Sequence, residues 1–185
     1  MSEQITDEPV VNVEEAFSKT ELYIEQNKKS LSIIAVAIVA LVGGYFAYKN
    51  WYVAGEETKA RVEMFKAEQL FEKDSLDKAM NGDLKTGSIG FTQIADDYSV
   101  TPSGNLAEYY LGICYLRKGQ YQEAIAHLEE FNSKDQIVAP IATGAIGDAN
   151  MELGKTDEAI SFYIKAAEQC NNKFSTPIYL KKAAM

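Results

Sequence analysis

A chain of 185 residues with 46% hydrophobic side chains, four prolines and a net charge of −9 has room for one modest domain and for long helices. The charge is spread through both polar parts: residues 1–30 carry seven acids against three lysines, and residues 55–185 carry twenty acids against fourteen bases. That balance argues against nucleic acid, whose phosphates need clustered Lys and Arg, and against broad docking on anionic lipid.

In chain order, residues 1–12 contain Asp7, Glu8 and Pro9 and read as a disordered tail. From Val13 to Asn27 the spacing tightens: Val13, Phe17, Thr20 and Ile24 share one helical face, with Glu14, Glu21 and Glu25 off it. The spacing predicts a short amphipathic helix that leads into the next segment. Leu31 to Tyr48, LSIIAVAIVALVGGYFAY, has eighteen residues and no charge. At helical rise this is about 27 Å, close to a hydrocarbon core of roughly 30 Å. Leu31, Ile34 and Ile38 give it apolar bulk, while Tyr48 and Trp51 fall where interfacial aromatics belong. Ala40 and Gly44 are small residues four apart, a spacing that lets a second membrane helix approach. A buried core helix of this length rarely lacks every polar stripe, so a transmembrane helix over 31–48 is expected. A cleaved signal peptide fits poorly: the apolar run is too long and follows an acidic segment of about thirty residues. Lys28 and Lys29 against Lys49 favour a cytoplasmic N-terminus only mildly.

Residues 49–104 read as a long helix plus a divergent first hairpin. Glu56 to Met80 carries an apolar stripe of Val62, Phe65, Leu70, Phe71, Leu76 and Ala79, and Asn81-Gly82-Asp83 ends it. A second helix is expected over about Ile89 to Tyr98, stopped by Thr101-Pro102-Ser103-Gly104.

Over 105–185 the chain repeats itself. Leu111-Gly112, Tyr115, Gly119, Ala124 and Leu128 recur as Ile146-Gly147, Asn150, Gly154, Ala159 and Tyr163, each displaced by 35 residues. A fixed period of this length marks a helical solenoid built from helical hairpins. The small residues let the two helices of a hairpin approach, and the large ones fill the space around them. On these residues, Asn105 to Gln136 and Pro140 to Asn171 resemble tetratricopeptide repeats. Asn150 departs from the aromatic usual there, and Glu108 and Thr143 from a tryptophan. A third unit opens at Ser175-Thr176-Pro177, and an apolar half-hairpin over Ile178–Met185 leads us to expect at least one more helix. The fold class expected is therefore all-α: one N-terminal transmembrane helix followed by a tetratricopeptide-repeat solenoid.

The stretches FKAEQLFEKDSLDKAMNGD and SGNLAEYYLGICYLRKGQYQEAI, with the order of acidic segment, membrane helix, long helix and repeats, resemble the ancillary SecYEG translocon subunit family, the YfgM-like membrane-anchored proteins, in the version found in Bacteroidota. The resemblance covers nearly the whole chain. It implies a single-pass protein of the bacterial inner membrane with its N-terminus cytoplasmic and its repeats periplasmic. It also implies association with the SecYEG translocon and with a membrane-anchored periplasmic chaperone in the export of envelope proteins. A structural scaffold for another envelope or secretion assembly, without client binding, is the alternative.

No catalytic, cofactor or metal constellation is legible. His127 is the only histidine and reads as a surface residue beside Glu129 and Glu130; Cys114 and Cys170 lack metal-ligand spacing. A disulfide between those cysteines is left open. No enzyme, cofactor or small-molecule substrate is expected. Counted from the Leu111-Gly112 landmark, the residues turned to the inner face of the array are Leu106, Tyr109, Ile113, Leu116 and Arg117, then Ile141, Gly144, Asp148, Met151 and Glu152. The first set is apolar for a solvent-facing groove and predicts a protein-binding surface, unless another helix of the chain covers it.

Overall fold

The computed structural model describes residues 13–170 and 172–185. The tail expected over 1–12 lies outside the described residues, and so do the side chains at 13–20 and 22, with the face built on Val13, Phe17 and Thr20. The chain divides into two units, Met1–Lys49 and Asn50–Met185.

In the first unit, helix α1 runs Val13–Ala47 without a break, so the expected lead-in over Val13–Asn27 and the apolar run are one helix. The 18-residue apolar window has mean hydropathy 2.2 and no part of it is buried within the protein. Ile34 is 54% exposed and Ile38 55%, and the space beside Gly43 and Gly44 is open. Side chains this apolar gain nothing from water, so α1 has the length and surface of a membrane span rather than of a core helix. A π-helical stretch, Tyr48–Val53, follows and holds Tyr48 and Trp51, the latter 83% exposed.

The second unit contains helices α2 (Ala54–Glu72), α3 (Leu76–Asn81), α4 (Phe91–Asp97), α5 (Pro102–Arg117), α6 (Tyr121–Glu130), α7 (Val138–Glu152), α8 (Thr156–Cys170) and α9 (Ser175–Ala183). Among the described residues the only β pairing is an isolated bridge, Asp83 with Ser88.

The helix expected over Glu56–Met80 is broken after Glu72. Asp74 takes a left-handed conformation with φ 56°, its N–H donates to Phe71 O, and the Ser75 N–H donates to Leu70 O. This is a Schellman ending, which satisfies the last carbonyls and turns the chain. The same two bonds close α5 at Gly119 (φ 73°) and α7 at Gly154 (φ 75°). Aspartate can stand where glycine is usual because its short side chain tolerates the left-handed region.

Three hairpins therefore share one plan. Seven residues before each turn stands a small residue, Ala67, Gly112 or Gly147, and five residues after it a fully buried alanine, Ala79, Ala124 or Ala159. A methyl on Gly112 would lie 2.4 Å from Leu128 Cγ, and one on Gly147 would lie 2.6 Å from the Tyr163 ring, so the paired helices meet with no room between them. The first hairpin stands 45 residues before the second instead of 35, because residues 82–90 loop out between α3 and α4. The loop closes on itself where a methyl at Gly90 would touch Met80 O at 2.2 Å.

The α4–α5 corner also departs from expectation. Thr101-Pro102-Ser103-Gly104 opens α5 rather than lying as a loop: Thr101 is the N-cap, its Oγ1 accepts the Gly104 N–H at 3.0 Å, and Pro102 sits in the first turn. The core below this corner contains Met64, Ala67, Ala79, Met80, Phe91, Ile94, Leu111 and Cys114. A second cluster, Leu128, Ala142, Ala145 and Ile146, holds α6 to α7. Asn150 is buried where an aromatic was expected; its Nδ2 donates to Ile146 O one turn back at 2.9 Å, which gives its buried amide a partner.

α5 is tied to α2 by a carboxylate. Glu57 accepts the Ser103 N–H at 2.9 Å, the Ser103 Oγ–H at 3.1 Å and the Arg61 Nε–H at 2.7 Å. Burial pushes this carboxyl up, but the hydrogen bonds and the Arg61 charge outweigh it and hold it below 4.5. The unfolded chain thus takes up this proton more readily than the folded one. Stability from Glu57 is complete above pH 4.5 and is lost as the pH falls through the lowered folded value. We expect the Glu57→Gln protein to lose part of the acid-side decline in urea midpoint; an unchanged profile between pH 3 and about 5 would contradict the assignment.

Candidate protein-binding face

The inner-face residues expected from the sequence separate into groups. Tyr109, Ile113 and Leu116 come together along α5, half-buried against the Leu128, Ala142, Ala145 and Ile146 cluster. Leu106, on the same helix, packs instead on the core shared with α2 and α4. Arg117 is exposed; its guanidinium lies 4.5 Å over the Phe71 ring and 3.6 Å from Asp74. Met151 is half-buried and Glu152 is exposed, accepting the Tyr121 O–H at 3.3 Å. Ile141 is 40% exposed.

Gly144 and Asp148 are engaged by α9. A methyl on Gly144 would lie 2.3 Å from the Tyr179 ring, so that ring lies directly on the glycine. Asp148 accepts the Tyr163 O–H at 2.8 Å and the Lys182 ammonium through both oxygens at 2.7 and 2.8 Å. One carboxylate thereby joins α7, α8 and α9. Burial, and then the hydrogen bond to Asp148, raise the Tyr163 phenol well above its ordinary range. Asp148→Ala removes three charge-assisted bonds to two partners and strands Lys182, at a cost of about 1–2 kcal/mol for a partly exposed pair. We expect faster amide exchange confined to α9 and the end of α8; uniform protection across the chain would contradict that role for Asp148.

The 45-residue spacing adds residues that the two-repeat pattern did not reach. Arg61, Met64, Glu68, Phe71 and Glu72 of α2 stand at the positions of Leu106, Tyr109, Ile113, Leu116 and Arg117. Glu57, Arg61, Met64, Glu68, Pro102, Ser103 and Leu106 line an open cleft of about 290 Å³ between α2 and α5. Its floor is apolar and its walls are charged. Burial, reinforced by the neighbouring Glu68 carboxylate that takes its hydrogen bond, pushes the Tyr110 phenol up to about 12. The stacked pair Tyr110 and Phe91, with rings 4.8 Å apart, makes this end of the face rigid. The signal for α2 was present in Ala67, Asp74 and Ala79, hidden by the ten added residues.

His127 is less exposed than its sequence context suggested. Its Nδ1 lies 2.7 Å from Glu108 Oε2 and its ring stacks on Tyr115 at 5.0 Å, so it pins α6 to α5. Cys114 and Cys170 are buried free thiols, and burial pushes Cys114 up to about 11, away from thiolate chemistry. Among the described residues no group of His, Cys, Asp and Glu could hold a metal ion. The face offers apolar half-buried side chains with charged neighbours, an arrangement suited to holding another polypeptide.

Two segments of the chain, residues 106–135 and 144–173, each match a family model described as tetratricopeptide repeat. These repeats are a protein-interaction module, and the match indicates protein partners. No curated protein and no solved structure matches the chain.

Proposed function

We propose, from a tetratricopeptide-repeat domain carried on one candidate membrane span, that this is a non-enzymatic, membrane-anchored interaction protein accessory to the Sec translocon. The observation that carries the reading is the pairing itself: two matched repeats on the same chain as an unburied apolar helix of mean hydropathy 2.2. The helix provides an anchor, and the repeats provide a surface for a polypeptide. The resemblance drawn from the sequence supplies the partners: SecYEG, a membrane-anchored periplasmic chaperone and exported envelope proteins. It also supplies the topology, with the repeats in the periplasm.

On this reading α1 docks beside translocon helices, with Ala40 and Gly44 as the close-approach positions. The half-buried set Tyr109, Ile113 and Leu116, with Leu106, Arg117, Met151 and Glu152 around it, meets the chaperone or emerging client. Co-purification from native membranes in mild detergent should retain translocon subunits; preparations that never retain them would sink the assignment. Photocrosslinking from position 109 or 116 separates clients from a single fixed partner, and nascent secretory chains are the expected products.

A further inference from the structure

A second cleft lies on the side of α7 turned to α6 and α8, and it is floored by part of the cluster on which the α5 face rests. Its floor is Leu128, Ala142 and Ile146, and its volume is about 480 Å³. Phe131 and Phe162 stand half-buried at its two walls. It stays open because residues on α7 facing it are small, Ala139, Ala142 and Thr143, and because the α6–α7 connection is held away. Asn105 fixes that connection with a reciprocal pair: its Oδ1 accepts the Asn132 N–H at 2.9 Å and its Nδ2 donates to Asn132 O at 3.0 Å.

The charge around the cleft is arranged against the stability of α6. Glu129 and Glu130 end that helix, where its dipole is negative and carboxylates are disfavoured. Among the described residues neither carboxylate has a hydrogen-bond or ion-pair partner, and the one basic side chain of the last turn, His127, is taken by Glu108. Across the cleft, Lys165 lies 5.9 Å over the Phe162 ring. One wall therefore combines two such carboxylates, a helix C-terminus and an aromatic ring, all of which favour a cation. We propose that this cleft docks a peptide segment of a partner protein that sets an apolar side chain on the Leu128–Ile146 floor and an adjacent arginine or lysine against Glu129 and Glu130. The cleft adjoins the α5 face, since Phe131 at its wall meets the Tyr109 ring at 5.4 Å.

The test uses the full chain in mild detergent and three fluorescein-labelled nonapeptides, each with a central leucine flanked by arginine, by glutamine or by glutamate. We expect the arginine peptide to bind about tenfold more tightly than the glutamate peptide, with a preference that shrinks as salt rises. The Glu129→Gln/Glu130→Gln double variant should remove that preference, and Ala139→Trp, which fills the cleft, should abolish binding of all three. Both variants sit at exposed or half-buried positions, and unchanged circular dichroism confirms their folding. Equal affinity for the three peptides, no binding by any of them, or binding indifferent to both variants would overturn the proposal.

Discussion

Replacing Phe91 by alanine should cost about 3–5 kcal/mol, a large share of the roughly 5–15 kcal/mol that holds a domain folded. Phe91 has no exposed surface. Its ring stacks on Tyr110 at 4.8 Å and 5°, and meets Phe71 edge-on at 6.4 Å. It joins α4, α5 and α2 at once, so truncation opens a cavity that no single helix can close by shifting. The ring pairings add to the area lost, each worth about 0.5–1.5 kcal/mol beyond burial. Urea unfolding followed by circular dichroism should show a large fall in midpoint with little change in slope. A loss below about 1 kcal/mol would mean that α4 is peripheral rather than central.

The second expected result concerns the small residues that define the repeat. Gly112→Val should destabilise by about 3 kcal/mol, at the upper end of ordinary overpacking. Even a methyl there meets Leu128 Cγ at 2.4 Å and Cδ2 at 2.8 Å, and the Ala124 carbonyl oxygen at 3.1 Å. The leucine can turn aside, but the α6 backbone behind it cannot move without pulling His127 from Glu108 and Tyr115. Valine gains little in helix propensity that could offset this. Gly154→Ala makes the contrast: its surroundings are open, and only the φ of 75° resists a side chain. Its cost should be about 1–2 kcal/mol, the ordinary penalty for a side chain in the left-handed region. If the two substitutions reversed in order, close helix approach would not be what Gly112 provides.

Much of the fold was legible because it rests on local signals. The apolar run over Leu31–Tyr48 has a length and an absence of charge that mark a candidate membrane span. The 35-residue recurrence of glycine and alanine reflects contacts between neighbours in sequence, which periodicity reads well. Less legible were features whose cause is nonlocal or irregular. The break at Asp74 lacks the glycine that marks the same turn at Gly119 and Gly154, and the looped residues 82–90 shift the first hairpin out of register. Both hid the alignment of α2 with α5, and with it Met64 and Glu68. On the candidate face, position counting placed Asp148 on the inner side of α7 but could not show that Lys182 and Tyr163 converge on it. Nor could it separate Leu106 from Tyr109, since that division depends on which neighbouring helix each meets.

The looped residues 82–90 have a practical consequence. Leu84 is wholly exposed, Asp83 is held by Lys78, by the Lys85 N–H and by the Ser88 backbone, and the space beside Gly87 is open. The repeat plan has already absorbed ten residues here without losing its packing, so it should accept more. An epitope or a small fluorescent tag inserted after Lys85 would give a handle on the folded domain that leaves α5, α6, α7 and their partner surfaces untouched.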